Sequence, residues 1–206
     1  METTQQRLLK NAERLMAEKG IAATSVREIT DAADANVAAV NYYFGSKTEL
    51  LYELLKIRFI QLDTALLEKV SVVEAATKGK AFGVGDLSSA YFDTLIEQAF
   101  NAQTGQLHPF VLLIERASSE QETVLARAQD LSLPGINRLK DLLVAAINLE
   151  DGDKLNFPVL LDLMFRTAIT AISTNSAKSE TQTLMPAIRE FMIGGVEKYM
   201  ARIVAE

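Results

Sequence analysis

The chain has 206 residues, of which 49% are hydrophobic; this is enough for a small domain plus a larger one with its own core, and it argues against disorder. Cysteine is absent, which excludes disulfides, thiolate nucleophiles and zinc–cysteine sites and suits a reducing cytoplasm. The formal net charge of -6 is unlike the basic balance of most nucleic-acid-binding proteins. No apolar run approaches the roughly 20 residues that span a bilayer, so we expect a cytoplasmic protein without a membrane segment.

Three helices are predicted within the first 44 residues. Apolar residues recur at steps of three and four over residues 6 to 19, which is typical of a helix with one buried face. Ser25 and Glu28 have the spacing of a capping box and predict the start of a second, short helix. A third is predicted over about residues 36 to 44. Since such short helices are not stable alone, the second and third must pack on the first, which predicts a helix-turn-helix.

These residues resemble the TetR family of one-component regulators over about the first 55 positions. The resemblance lies in Ala17-Glu18-Lys19-Gly20 at the end of the first helix, in Thr24 and Ser25, in Tyr42-Tyr43-Phe44, and in Gly45-Ser46-Lys47. Residues 38 to 42 look most similar to the fatty-acid-responsive branch. Where the family usually has glycine in the turn between the two helices, this chain has Asp34. Asp tolerates the left-handed region better than most residues, so we expect the turn to form with some strain.

The helix-turn-helix supplies the candidate DNA contacts. The recognition helix exposes small and amide side chains that can reach base edges, and the aromatic and basic residues after it can reach phosphates. The candidates are Ser25, Val26, Arg27, Asn36, Val37, Ala38, Asn41, Tyr42, Tyr43 and Lys47. Because small side chains dominate, we expect recognition of DNA shape to contribute to sequence specificity.

The net charge does not exclude DNA binding. The first 47 residues hold six basic and six acidic residues, so the entire charge of -6 falls in the remaining 159. Counterion release depends on the phosphates neutralised locally. Arg7, Lys10 and Arg14 lie at helical spacing and form either a basic stripe facing DNA or an ordinary solvated face.

Beyond Lys47 the pattern stays helical and favours an all-α fold of about nine to ten helices. Residues 46 to 78 contain neither Gly nor Pro and predict one long helix, followed by a flexible connection at Gly79, Gly83 and Gly85. Further helices are predicted near residues 86–103, 108–118, 120–130, 134–149, 156–175 and 182–204. All four prolines fall near predicted helix starts. We expect a DNA-binding domain over 1–47 and a ligand-binding and dimerisation domain over 48–206.

The last two predicted helices interleave small and large apolar residues, which is typical of closely packed helices. The stripe is either an interface between two copies or ordinary core. The resemblance to the TetR family, whose members dimerise through their last two long helices, favours a homodimer.

Aromatic and aliphatic residues between the DNA-binding helices and that stripe are candidates for an effector pocket, although core packing is the commoner role for each. They are Phe59, Leu62, Tyr91, Leu95, Phe110, Leu113 and Phe165. Arg116 lies in an apolar segment, where it either pairs with an internal carboxylate or holds the anionic end of an amphipathic ligand. We expect an acyl or other lipophilic effector.

Catalysis has little support in the sequence. The one histidine, His108, precedes Pro109 at a predicted helix start and fits a surface or capping role, and no catalytic or phosphate-loop motif occurs. We therefore expect that the protein is not an enzyme and uses no cofactor or metal. We expect it to be a ligand-responsive regulator that binds a pseudo-palindromic DNA operator. The resemblance to the family implies a repressor. A helical carrier that never touches DNA and an enzyme with a helical pocket are the alternatives.

Overall fold

The computed structural model describes residues 2–77, 83–100, 106–129, 131–148, 156–175 and 181–205. Helices dominate these ranges, which confirms the all-α prediction. The helices are α1 (Thr4–Lys19), α2 (Val26–Ala32), α3 (Ala38–Phe44), α4 (Lys47–Thr77), α5 (Val84–Ala99), α6 (Pro109–Glu120), α7 (Glu122–Gln129), α8 (Pro134–Ala146), α9 (Phe157–Asn175) and α10 (Thr181–Ala205).

The chain folds into two compact units. Unit 1 comprises Met1–Ile60 and Gln106–Leu131, and unit 2 comprises Gln61–Gly105 and Ser132–Glu206. The long helix α4 contributes residues to both.

Unit 1 is built around α1. Its apolar face, which includes Leu8, Ala12 and Met16, is fully buried, as the spacing predicted. This face packs against α2 and α6, and α2 packs against α3. Ile29 of α2 and Val40 of α3 are also fully buried. The two short helices are therefore stabilised by tertiary packing, as their length requires.

Unit 2 places α5 against α8, α9 and α10. The buried carboxylate of Asp63 on α4 accepts hydrogen bonds from the backbone N–H groups of Gly135 and Ile136, at 3.0 and 2.8 Å. It thereby satisfies donors that the first turn of α8 leaves unpaired. Only glycine fits at position 135, because a Cβ there would lie 2.5 Å from the carbonyl oxygen of Asp63.

Three details of the helical prediction were wrong or lie outside the described residues. Gly85 is inside α5 and not in a connection, because Asp86 accepts a bond from the Gly83 N–H and starts the helix there. The same helix ends at Ala99, before the predicted 103, since Phe100 has an extended backbone; Gly79 and residues 101–105 lie outside the described ranges. Pro186 is inside α10, not in its first turn. It cannot donate the backbone hydrogen bond that a helix interior uses.

None of the helices in the described ranges combines the length and the apolar character that crossing a bilayer requires.

Candidate nucleic-acid interface

The turn between α2 and α3 has the strained conformation expected of a non-glycine residue. Asp34 has a φ of 49°, in the left-handed region. Arg7 of α1 supports this turn: its Nε donates to the Ala33 carbonyl at 2.9 Å, and its Nη2 to the Asp34 carbonyl at 3.4 Å. The Arg7 guanidinium thus stabilises the turn that joins α2 and α3. The sequence pattern had placed Arg7 only in a surface stripe.

The start of α2 has the predicted capping box. The Ser25 hydroxyl accepts from the Glu28 N–H at 3.2 Å, and the Glu28 carboxylate accepts from the Ser25 N–H at 2.8 Å. Lys19 of α1 donates to the same carboxylate at 2.7 Å. The bond from Lys19, followed by those from Ser25, lowers the pKa of Glu28 from 4.5 to about 2. One carboxylate therefore caps α2 and links it to α1.

This cap should depend on pH. Because the pKa of Glu28 is depressed in the folded state, its contribution to stability is present above pH 4.5 and is lost as the pH falls through about 2. Urea unfolding from about pH 6 down to about pH 2 covers both the ordinary and the lowered pKa of Glu28. Over this range, the difference in unfolding free energy between wild type and Glu28→Gln should shrink as the pH falls. Parallel pH profiles for the two proteins would contradict the assignment.

The recognition helix α3 buries one face and exposes the other. Val40 is fully buried and Phe44 nearly so, whereas Tyr42 is 83% exposed and Val37 49% exposed. Asn36, Ala38, Asn41 and Tyr43 are exposed as well. The rings of Tyr42 and Tyr43 meet edge to face, with centroids 4.9 Å apart. The predicted base-reading residues thus share one accessible surface of amide, methyl and phenol groups, the chemistry that base edges and phosphates accept.

Lys47, the predicted phosphate contact at the start of α4, is half-buried and already bonded. Its ammonium donates to the carbonyl oxygens of Ile21 and Thr24, both at 2.9 Å. Thr24 is itself buried, and its hydroxyl donates to the Gly20 carbonyl at 2.8 Å. Lys47 therefore ties α4 to the loop between α1 and α2. An ammonium has three donors, so a phosphate contact would have to use the remaining one.

The other basic residues near the interface lie in weak ion pairs. Lys10 is 3.8 Å from Glu2, Arg14 is 3.2 Å from Glu18, and Arg27 is 3.8 Å from Asp31. Such exposed pairs contribute little free energy and exchange readily for other partners. Lys10, Arg14 and Arg27 can therefore turn to phosphates, while Arg7 is committed to the turn.

The predicted effector residues do not fall in one unit. Phe59, Phe110, Leu113 and Arg116 belong to unit 1, whereas Leu62, Tyr91, Leu95 and Phe165 belong to unit 2. All except Leu62 and Arg116 are buried. Phe59 and Phe110 pack edge to face with centroids 6.0 Å apart, as part of the core of unit 1.

Arg116 was predicted to be an internal cation, and this was wrong. The buried positions of α6 are 110, 111, 113, 114 and 117, and Arg116 with Glu115 lies on the exposed face. The apolar residues around it form the buried stripe of an amphipathic helix, and Arg116 is out of phase with that stripe. Arg166 is likewise exposed.

His108 is a helix cap, one of the two roles that the sequence left open. Its Nδ1 accepts from the Phe110 N–H at 3.2 Å, at the start of α6. Burial, and then the charge of Arg58, lowers the pKa of His108. An uncharged imidazole keeps Nδ1 available as an acceptor at neutral pH. Among the described residues, no group of three or more acidic, His or Cys side chains could hold a metal ion.

The fold and this surface define a helix-turn-helix protein in which helices dominate the described residues. Residues 8–54 match the family model described as "Bacterial regulatory proteins, tetR family". Over these residues the chain is similar to the TetR family, as the motifs predicted.

A curated relative supports the same likeness over a short part of the chain. The chain is 42% identical over 52 residues to "Probable HTH-type transcriptional regulator YttP" of Bacillus subtilis (strain 168). This match covers 25% of the present chain and 25% of that regulator.

Solved structures match the fold over almost the whole chain. The fatty acid degradation regulator FadR from Bacillus halodurans aligns with a TM-score of 0.63 at 16% identity, over 95% of this chain and 97% of its own. FadR from Bacillus subtilis, solved in complex with stearoyl-CoA, aligns with a TM-score of 0.58 at 19% identity, over 92% and 97%. At these identities the likeness is one of fold.

Proposed function

We propose that the protein is a DNA-binding transcriptional regulator whose affinity for its operator is controlled by a small molecule. The observation that carries this proposal is the exposed face of α3. Asn36, Asn41 and Tyr42 lie open to solvent on a helix whose other face is buried, and Arg7 holds the turn that presents it. Operator-specific binding would separate this proposal from a helical carrier, and turnover of a ligand would favour an enzyme instead. A regulator of this kind would act on DNA in the cytoplasm and would have no catalytic activity.

Asn41→Ala tests the role of this face in base reading. The Asn41 amide can pair with adenine through two hydrogen bonds, so its loss should relax the preference at one base position per half-site. The binding free-energy difference between the preferred base and the other bases at that position should fall by about 1 to 3 kcal/mol. Fluorescence anisotropy on a panel of operators with single base changes measures it. A uniform loss of affinity with the preference intact would remove Asn41 from base reading.

We further propose that two copies associate through α9 and α10. Part of the apolar stripe is core, since Met192, Val196 and Met200 are buried, but Phe191 is 79% exposed and Leu163 58% exposed. Gly194 and Gly195 are exposed on α10 and would allow close approach of a second helix. In a two-fold dimer, the two recognition helices would read half-sites about 34 to 36 Å apart.

The effector is proposed to be mostly apolar with one anionic or polar end, such as an acyl compound. The bound stearoyl-CoA of the Bacillus subtilis FadR structure supports this class. Tyr91, Leu95 and Phe165 supply buried apolar surface in unit 2. Arg116 lies on the surface and is not a candidate for the anionic end of the ligand. Because α4 contributes residues to both units, a shift of this helix is the proposed route from effector to operator.

Acyl-CoA esters of increasing chain length test the effector class. They should raise the melting temperature and release the protein from its operator at concentrations near the micromolar range, which is about 8 kcal/mol of binding energy. If neither quantity changes for any chain length, the lipid assignment fails while the DNA-binding proposal stands.

A further inference from the structure

The carboxylate of Glu120 has an unexpected position. Glu120 is the last residue of α6, and its Oε2 accepts a hydrogen bond from the backbone N–H of Ala22 at 2.7 Å. A negative charge at the C-terminal end of a helix is unfavourable for that helix, because the unpaired carbonyls there are already negative. The benefit of this carboxylate therefore lies in its partner, the loop between α1 and α2.

This loop, residues 20 to 25, is shaped for the contact. Gly20 ends α1 with a φ of 99°, which side chains rarely tolerate. A Cβ at this position would also lie 3.1 Å from Glu120 Oε1, which is closer than most such contacts. Glycine thus provides both the backbone conformation and the space for the carboxylate.

Glu120 and Lys47 hold the loop from two helices. Lys47 binds the carbonyls of Ile21 and Thr24, and Glu120 binds the N–H between them, at Ala22. One donor from α4 and one acceptor from α6 together fix the backbone immediately before Ser25. Ser25 caps the N-terminal turn of α2, where the candidate DNA contacts Ser25, Val26 and Arg27 lie.

We propose that Glu120 is a positioning residue for operator binding, which acts by fixing the α1–α2 loop and through it the N-terminal turn of α2. This inference rests on the proposed DNA-binding function. Glu120 itself does not touch DNA. Backbone donors and hydroxyls reach phosphates only when they are correctly placed, so a loop released at Ala22 weakens these contacts without removing any of them.

Electrostatics alone makes the opposite prediction. Removing an acidic group from the DNA-binding unit reduces repulsion of phosphates and should strengthen binding. The sign of the change therefore separates positioning from a general charge effect.

The experiment compares Glu120→Ala with Glu120→Gln. Both remove the charge, but the glutamine carbonyl oxygen can still accept from the Ala22 N–H. Glu115→Ala is the matched control, because it removes an exposed carboxylate from the same helix. Operator affinity is measured over a series of salt concentrations, and the amide exchange of Ala22 is followed by NMR.

We expect Glu120→Ala to bind the operator about fivefold more weakly, the equivalent of about 1 kcal/mol, with an unchanged salt slope because no phosphate contact is lost. Ala22 should exchange faster in this variant only, and Glu120→Gln and Glu115→Ala should bind like wild type. The inference is overturned if Glu120→Ala binds as tightly as wild type or more tightly, or if Glu120→Gln is equally impaired. A wild-type protein that binds no operator would overturn the proposed function and this inference with it.

Discussion

A Glu13→Ala variant is expected to lose about 3 kcal/mol of unfolding free energy. Glu13 of α1 is buried, and Arg58 of α4 binds it with two parallel bonds, from Nε to Oε1 at 2.7 Å and from Nη2 to Oε2 at 2.6 Å. Removing the carboxylate takes away the two-bond partner of Arg58, whose side chain is only 28% exposed. Breaking a buried pair from one side costs more than the intact pair contributes. Urea unfolding at neutral pH measures the loss.

Two further variants make this prediction specific. Adding Arg58→Met to Glu13→Ala removes the second charge of the pair and should recover much of the stability. Glu53→Ala breaks an exposed pair with Lys56 and should cost less than about 1 kcal/mol. If Glu13→Ala and Glu53→Ala lower the unfolding free energy equally, the buried pair of Glu13 and Arg58 contributes no more to stability than an exposed pair.

An Ala38→Glu variant is expected to lose at least about 100-fold in operator affinity, which is about 2.7 kcal/mol. Ala38 is the first residue of α3 and is exposed, so the fold should tolerate the change. An acidic group in the first turn even favours the helix. In the complex, however, the carboxylate would face bases and phosphates and repel them.

Ala126→Glu is the matched control, since Ala126 is exposed on α7 and the same charge is added there. Its affinity should stay within about threefold of wild type, because α7 carries none of the predicted DNA contacts and an exposed charge is screened by salt. Melting temperatures of both variants verify folding. Equal losses for the two variants would mean that net charge, and not the face of α3, determines binding.

Much of the helical framework could be predicted because its signals are local. The Ser25 and Glu28 spacing gave the start of α2, and the lack of Gly and Pro gave α4 nearly to its end. Asp34 could be placed in the left-handed region because the turn requires that conformation of whichever residue occupies it. The candidate DNA-binding surface was predicted from the same segment.

The residues that hold this surface could not be predicted, because their partners are distant in sequence. Arg7, Lys47 and Glu120 bind backbone groups 23 to 98 residues away. No periodicity or motif indicates that a side chain will bond to a backbone group of a distant loop or turn. The error over Arg116 has a related cause. Apolar neighbours in the sequence do not show whether a residue lies on the buried or on the exposed face of its helix.

The central claim, that the exposed face of α3 reads DNA, is tested most directly by selection from a pool of random double-stranded DNA. Wild type should enrich one inverted repeat with half-sites centred one helical turn apart, about 34 to 36 Å, and Ala38→Glu should enrich none under the same conditions. Failure of the wild type to enrich any sequence, or enrichment of the same sequence by Ala38→Glu, would contradict the claim.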